Sequence, residues 1–411
     1  MSSARAAAKA AETAARTSYG RLLAILAART RDIAASEDAL SAAFLAALRT
    51  WPARGVPDNP DAWLVATARN HLKNAARHKG VAIEAAADLA LLFDEGAVDE
   101  DADALPDDRL KLLFVCAHPA IDASVRTPLM LQTVLGLDAA RIAAAFLVAP
   151  ATMGQRLVRA KTKIKAAGLR FELPTQADMP TRLEDVLDAI YAAYGTSWDA
   201  VAGADGDAGA RGLAEEALYL SRLVVSLLPQ APEARGLLAL ILYCESRRAA
   251  RRDAAGRFVP LKAQDARLWS RDMIVEAEGH LTAASRAGVF GRYQCEAAIQ
   301  SVHAQRPITG QTNHAALRTL YGLLAQRCPS IGVLVAQAAA LLDAGDADAA
   351  MAVLQRLAEA DIRGYQPYWA TLAAVHVARG QRGEAAAALH TAIGLTEDPA
   401  IRAFLAQSLA R

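Results

Sequence analysis

Two sets of amide and cationic side chains recur at helical spacing in this chain of 411 residues. Thr152, Arg156, Arg159 and Lys163 stand at i, i+4, i+7 and i+11, with Gln155 beside them. Asn70, Lys73, Asn74 and Arg77 stand at i, i+3, i+4 and i+7. Those intervals put each set on one face of an α-helix. Amides and guanidinium groups read base edges, and cations hold phosphates, so the chemistry on offer is nucleic-acid binding. A solvated helix face has the same look. Acid–base chemistry finds less support. His303, His118 and Glu245, which precedes Arg247 and Arg248, are the candidates for an enzyme, and none has a partner at motif spacing. No phosphate loop, nucleophile elbow or metal-ligand set occurs, so neither an enzyme nor a cofactor is expected.

The elements that must carry these faces are helical. Alanine and leucine dominate and aromatic residues make up 5%, which favours helix over sheet. The expectation is an all-α chain of two small helical domains followed by a helical array. Lys and Arg number 45 against 44 Asp and Glu, so a uniformly basic coat is excluded while local patches are not. Cys116, Cys244, Cys295 and Cys328 lie far apart with no CxxC pair, against a zinc ribbon, a disulfide framework or secretion. The first twenty residues hold no apolar run, and no stretch of about 18 apolar residues occurs, so neither a signal peptide nor a membrane partner is expected. The expected compartment is the cytoplasm.

Helix signals order the N-terminal half. Tyr19 to Ala28 reads as a helix with Leu22, Leu23, Ile25 and Leu26 inward. Ser36 is placed to cap the next helix, whose stripe is Leu40, Phe44, Ala47 and Leu48. Pro52, Pro57 and Pro60 make Trp51 to Asp61 a structured loop, after which Asp61 opens the first basic helix. Further on, a helix begins at Pro128 and stops at Gly136. Asp138 caps Ala139 to Phe146, with Ile142 and Phe146 inward. A turn through Pro150 leads to a helix on which Met153, Leu157, Ala160 and Ile164 face the core. A short helix, a tight turn and a basic-faced helix form the helix-turn-helix layout, whose second helix enters the major groove.

Charge and repeats mark the boundaries. Glu84 to Asp108 carries ten acids and no Lys or Arg, a solvated linker by composition. The expected domains are 1–80, the acidic linker 81–108, a helix-turn-helix domain 109–172 and a C-terminal helical domain 180–411. Gly203 to Gly212 reads as a loop. Gly345 and Gly380 are 35 residues apart, as are Ala350 and Ala385, close to the tetratricopeptide period of about 34.

Several of these stretches carry a family likeness. Glu37 to Phe44 and Trp63 to Asn70 resemble region two of bacterial extracytoplasmic-function sigma factors, and Arg141 to Ala160 resembles their region four. Leu112 to Ala120 and Arg211 to Ala217 resemble the subgroup with a C-terminal tetratricopeptide-like extension. The resemblance implies a promoter-specificity subunit whose partners are core RNA polymerase and promoter DNA. Glu37, Asp38 and Ser41 would stay exposed and meet the coiled coil of the largest polymerase subunit. Asn70, Lys73, Asn74 and Arg77 would serve the −10 element, and region four would read the −35 element. The acidic linker would thread toward the polymerase active-site channel. The helical array would regulate activity and could take a protein or small ligand. Asn74 stands where the family often has Asp, and Tyr191 to Gly195 replaces an Asn-Glu-Gly-Tyr motif of the subgroup. A helix-turn-helix regulator that never joins polymerase, with a protein-binding scaffold, is the other reading.

Overall fold

The computed structural model describes residues 2–78, 108–146, 148–175, 177–199, 207–396 and 398–409. Among the described residues there are helices and no strands, so the chain is all-α, with one isolated bridge pairing Arg252 and Phe258. No described helix is long and apolar enough to cross a membrane. Most of the expected linker, 81–107, lies outside the described residues, as do Lys79 and the stretch 203–206.

The contacts divide the chain into two compact units, Met1–Val201 with Asp205–Leu220, and Ala202–Ala204 with Ser221–Arg411. In the first, α1 (Ser2–Thr17), α2 (Tyr19–Thr30), α3 (Ile33–Arg54) and α4 (Pro60–His78) share one core. Ala7, Ala11 and Ala14 recur at i, i+4 and i+7 and are buried with Ala39, Leu40, Ala43 and Ala47 of α3. Small side chains let α1 lie close on α3 without a large apolar residue of its own.

The start of α3 differs from the sequence expectation. Asp32 is the cap, its Oδ1 accepting from the Ala35 amide at 3.0 Å. Ser36 is buried inside the helix, its hydroxyl donating to the Asp32 carbonyl at 2.8 Å. The expected loop 51–61 also begins later, because α3 runs through Pro52 to Arg54. Trp51 is buried edge-on to Trp63, with centroids 5.4 Å apart, and that contact holds the end of α3 against α4.

α5 (Arg109–Cys116), α6 (Ala123–Thr133), α7 (Ala139–Ala145) and α8 (Pro150–Ala166) follow. α6 starts five residues before the expected Pro128, capped by Asp122, whose carboxylate accepts from the Ser124 amide at 2.9 Å. α9 (Met179–Asp199) packs on α5 and α6, and the Arg126–Asp185 ion pair at 2.7 Å joins it to α6. The expected domain start at 180 therefore falls within the first unit. α10 (Asp207–Leu227) takes in residues 207–212 of the expected glycine-rich loop as helix. Its Glu216 pairs with buried Arg109.

The second unit is a run of helical hairpins. α11 (Pro232–Ser246) packs on α12 (Arg271–Ser285) and α13 (Arg292–Ala304). After the short α14 (Arg306–Thr309), α15 (His314–Arg327) packs on α13 and on α16 (Ile331–Asp343). α17 (Ala347–Leu354) follows, then the short α18 (Glu359–Ile362), α19 (Gln366–Ala378), α20 (Arg382–Gly394) and α21 (Pro399–Leu409). Gly345 and Gly380 turn the two similar hairpins at φ +85° and +73°, a region that side-chain-bearing residues rarely enter. Ala350 and Ala385 are buried just beyond them, where a larger side chain would part the paired helices.

Residues 247–270 leave that hairpin pattern. They form a strap of short 3-10 turns between α11 and α12. Its Arg252 pairs with Asp398 at the head of α21, and Phe258 lies edge-on to Phe404 of α21, centroids 5.4 Å apart. Arg306 donates to the strap carbonyls of Leu261 and Gln264 at 2.8 and 2.7 Å. Asp398 also accepts from the Ala400 amide at 2.8 Å. Burial opposes its ionisation, but the Arg252 guanidinium and that amide outweigh it and hold the carboxyl below the usual carboxylate range. The pair is therefore complete at neutral pH and is lost only as pH falls through that depressed value. Arg252→Ala is expected to remove about 1.5–3 kcal/mol of charge-assisted hydrogen bonding. Amide exchange along α21 should accelerate while exchange in α16 and α17 stays unchanged.

Candidate nucleic-acid and polymerase-binding faces

α8 is seated by its inner stripe. Pro150 occupies its first turn, where a missing amide proton costs nothing. Met153, Leu157, Ala160 and Ile164 are all buried, which fixes the helix against α6 and α7. The opposite side carries Thr152, Gln155, Arg156, Arg159 and Lys163, every one exposed. α7 is held at its start by Asp138, whose Oδ1 accepts from the Ala140 and Arg141 amides, both at 2.9 Å. Ile142 is buried as its spacing implies, but Phe146 is 38% exposed rather than inward. Asp122 stays ionised below its usual range, chiefly through the Ser124 hydroxyl and amide, with Arg126 and Arg156 adding to the effect.

Val158 and Thr162 belong to the same outer side and went unnoticed because they carry no charge. Both are exposed, Val158 at 64%, and they stand at i+3 and i+7 from Gln155. An apolar side chain between an amide and a guanidinium suits the methyl group of thymine.

α4 presents the second face. Asn59 caps it, its Oδ1 accepting from the Ala62 amide at 3.0 Å. Leu64, Val65 and Ala68 are buried in the N-terminal core. Asn70, Asn74 and Arg77 are exposed, and Lys73 is half-buried on the same side. The helix is thus anchored through its first half and open toward its end.

The acidic set divides. Asp38 and Ser41 are exposed on α3, and Leu45 and Leu48 continue their line at 56% and 47% exposure. Leu48 therefore leaves the inward stripe expected of it. Glu37 does not remain exposed either. Lys161 Nζ of α8 donates to both of its carboxylate oxygens at 2.6 Å, and the two side chains keep only 19% and 8% of their exposure. Burial raises the Glu37 carboxyl above its ordinary range, with Lys161 pulling against that rise. One turn further on, Lys165 pairs with Asp32 at 2.6 Å. Glu37 and Lys161 are 124 residues apart, so local spacing offers no signal for the pair.

The candidate acids and bases of an enzyme have other tasks. Burial, then Arg247 and Arg306, pull the His303 imidazole down to about 4, so it is neutral at pH 7. His118 Nδ1 accepts from the Ala120 amide in a turn. Glu245 accepts from Nε and Nη2 of Arg248 at 2.7 and 2.6 Å. No group of three or more His, Cys, Asp or Glu that could hold a metal occurs among the described residues.

Comparison with known proteins bears on these faces. The chain is 36% identical over 384 residues to an uncharacterized protein of Rhizobium meliloti (strain 1021), covering 92% of this chain and 90% of that one. The chain belongs to that protein's family. Residues 15–81, spanning α2 to α4, match the Sigma-70 region 2 family, which supports a sigma-factor role in transcription initiation with polymerase and DNA as partners. Residues 182–285 match a family of unknown function, DUF6596. No solved structure matches the chain.

Truncating Arg156 or Arg159 of α8 to alanine is expected to cost about 1–3 kcal/mol on the best DNA site and to relax preference at one base position. Lys163→Ala should weaken all DNA sites alike and flatten the salt dependence. Val158→Ser should act only at sites with a thymine opposite it. Binding isotherms on a randomised duplex library at two salt concentrations separate the three outcomes.

Proposed function

We propose that the chain is an alternative sigma factor of the extracytoplasmic-function kind, working in the cytoplasm with core RNA polymerase. Its region 2 docks on the polymerase and serves the −10 element through Asn70, Lys73, Asn74 and Arg77. The helix pair α7–α8 is its region-four helix-turn-helix and reads the −35 element through Thr152, Gln155, Arg156, Arg159 and Lys163. The acidic linker follows the nucleic-acid path through the polymerase. The observation that carries this reading is the row Asp38, Ser41, Leu45 and Leu48 on α3. Within a region 2 it leaves two leucines facing solvent with acid and hydroxyl beside them. An apolar line edged by polar groups is the composition of a protein-binding face.

The C-terminal hairpins form a tetratricopeptide-like array that regulates the N-terminal half, either by restraint or as a required element. Gly345 and Gly380 in matching turns support the repeat. The boundary for testing it lies after 220, because α9 packs on α5 and α6 with Asp185 paired to Arg126, and Glu216 of α10 pairs with Arg109 of α5.

Co-purification with core polymerase tests the reading. The native chain should be retained, and Asp38→Lys with Leu45→Asp should weaken retention by about tenfold, ~1.4 kcal/mol, or more. Both side chains are exposed, so helical content should not change. Retention equal to the native chain would place docking elsewhere, and no retention of the native chain would leave a regulator that works without polymerase.

A further inference from the structure

The strap of the C-terminal unit carries a short finger, residues 251–259, that is folded by its own hydrogen bonds. Arg252 and Phe258 pair across an antiparallel bridge, and the Val259 amide donates to the Arg251 carbonyl at 2.9 Å. Asp253 closes the turn between them. Its Oδ1 accepts from the Ala255 and Arg257 amides at 3.0 and 2.9 Å, and its Oδ2 accepts from Arg257 Nε at 2.7 Å. Both ends of the finger are pinned. Ala250 is buried just before it, and just beyond it Arg306 holds the Leu261 and Gln264 carbonyls. The finger is thus free to leave α21 as a unit while the rest of the strap stays in place.

The surface it touches is also held by its own helix. Asp398 spends Oδ1 on the Ala400 and Ile401 amides of α21, at 2.8 and 3.4 Å, and gives Oδ2 to Arg252 at 2.5 Å. Phe404 is backed by the apolar cluster of α19, α20 and α21, which includes Ala373, Leu389 and Leu405, and meets Phe258 at 71° between ring planes. Two preformed surfaces therefore meet through a guanidinium on a carboxylate and a ring on a ring. Arg252 and Asp398 keep 21% and 14% of their side-chain exposure, so water reaches the edge of the contact. An arginine and an aromatic anchor are the groups in which protein interfaces concentrate affinity. We propose that Asp398 and Phe404 form a protein-docking site on α21, that the finger occupies it as a resident ligand, and that a partner hairpin offering an arginine and an aromatic ring in the same places displaces the finger. The site lies wholly in the C-terminal unit and stands apart from the sigma-factor reading.

Fluorescence anisotropy with the full-length protein tests it. The probe is a labelled peptide of residues 250–260 closed head to tail, which supplies the arginine and the ring from outside. Arg252→Ser with Phe258→Ser vacates the site and should bind the probe. The native chain should bind it at least tenfold more weakly, because only the fraction with the finger displaced is competent. Adding Asp398→Asn to the vacated chain should weaken binding about tenfold, since the amide oxygen still caps α21 but the charge is gone. Circular dichroism should show equal helix in all three proteins. If the double variant fails to fold, Arg252→Gln alone loosens the finger and should give an affinity between native and vacated values. A folded vacated chain that does not bind the probe would overturn the proposal. So would equal binding by native and vacated chains, or binding indifferent to Asp398→Asn, since the probe would then sit elsewhere.

Discussion

Helix α2 has no solvent face through its centre, and the N-terminal unit is organised by that constraint. Every residue from Leu22 to Ala27 is buried. Leu22, Leu23, Ile25 and Leu26 belong to the core shared with α1, α3 and α4, while α2 also contacts α5 and α6. A helix that is apolar all round must be covered all round. The covering element, α5, is itself buried from Leu110 to Cys116 except for Lys111. Its Cys116 thiol is pushed up to about 12 by burial, so it is no thiolate at neutral pH. Once α2 is wrapped in this way, α6 lies against α2 and α8 against α3, and the lysines of α8 find the acids at the start of α3.

The C-terminal unit follows a different constraint. A stack of hairpins whose members touch only their neighbours gains stability locally and leaves its ends independent. The strap at 247–270 breaks that rule, because Arg252 and Phe258 reach the last helix across nearly the whole unit. Stability at the end of the array is thereby tied to a segment near its start, and Arg306 in the middle anchors the same segment.

Much of this was legible in the residues. The four inward positions of α8 are buried and its five outward positions exposed because a period of 3.6 reports both faces of a helix. Leu22, Leu23, Ile25 and Leu26 are buried as their apolar type implies, although α2 has no outer face there and Ala24 and Ala27 are buried with them. What stayed hidden depended on partners distant in the chain. Glu37 looked like an exposed acid because nothing nearby in sequence announces Lys161. Phe146 and Leu48 have the right type and spacing to be buried, yet no neighbouring element covers them fully. Helix ends were misread where side chains had two uses. Ser36 is a good cap, but Asp32 lies earlier and takes the Ala35 amide. Pro52 usually breaks a helix, yet α3 passes through it where buried Trp51 packs on Trp63.

The central claim is that this chain directs RNA polymerase to promoters. Run-off transcription with purified core polymerase on a library of promoter fragments tests it most directly. Adding the full-length chain should produce discrete transcripts from a subset of fragments sharing two spaced elements, and these should vanish with Arg156→Ala and Arg159→Ala together. Binding of the chain to duplex DNA with no chain-dependent transcript from any fragment would contradict the claim.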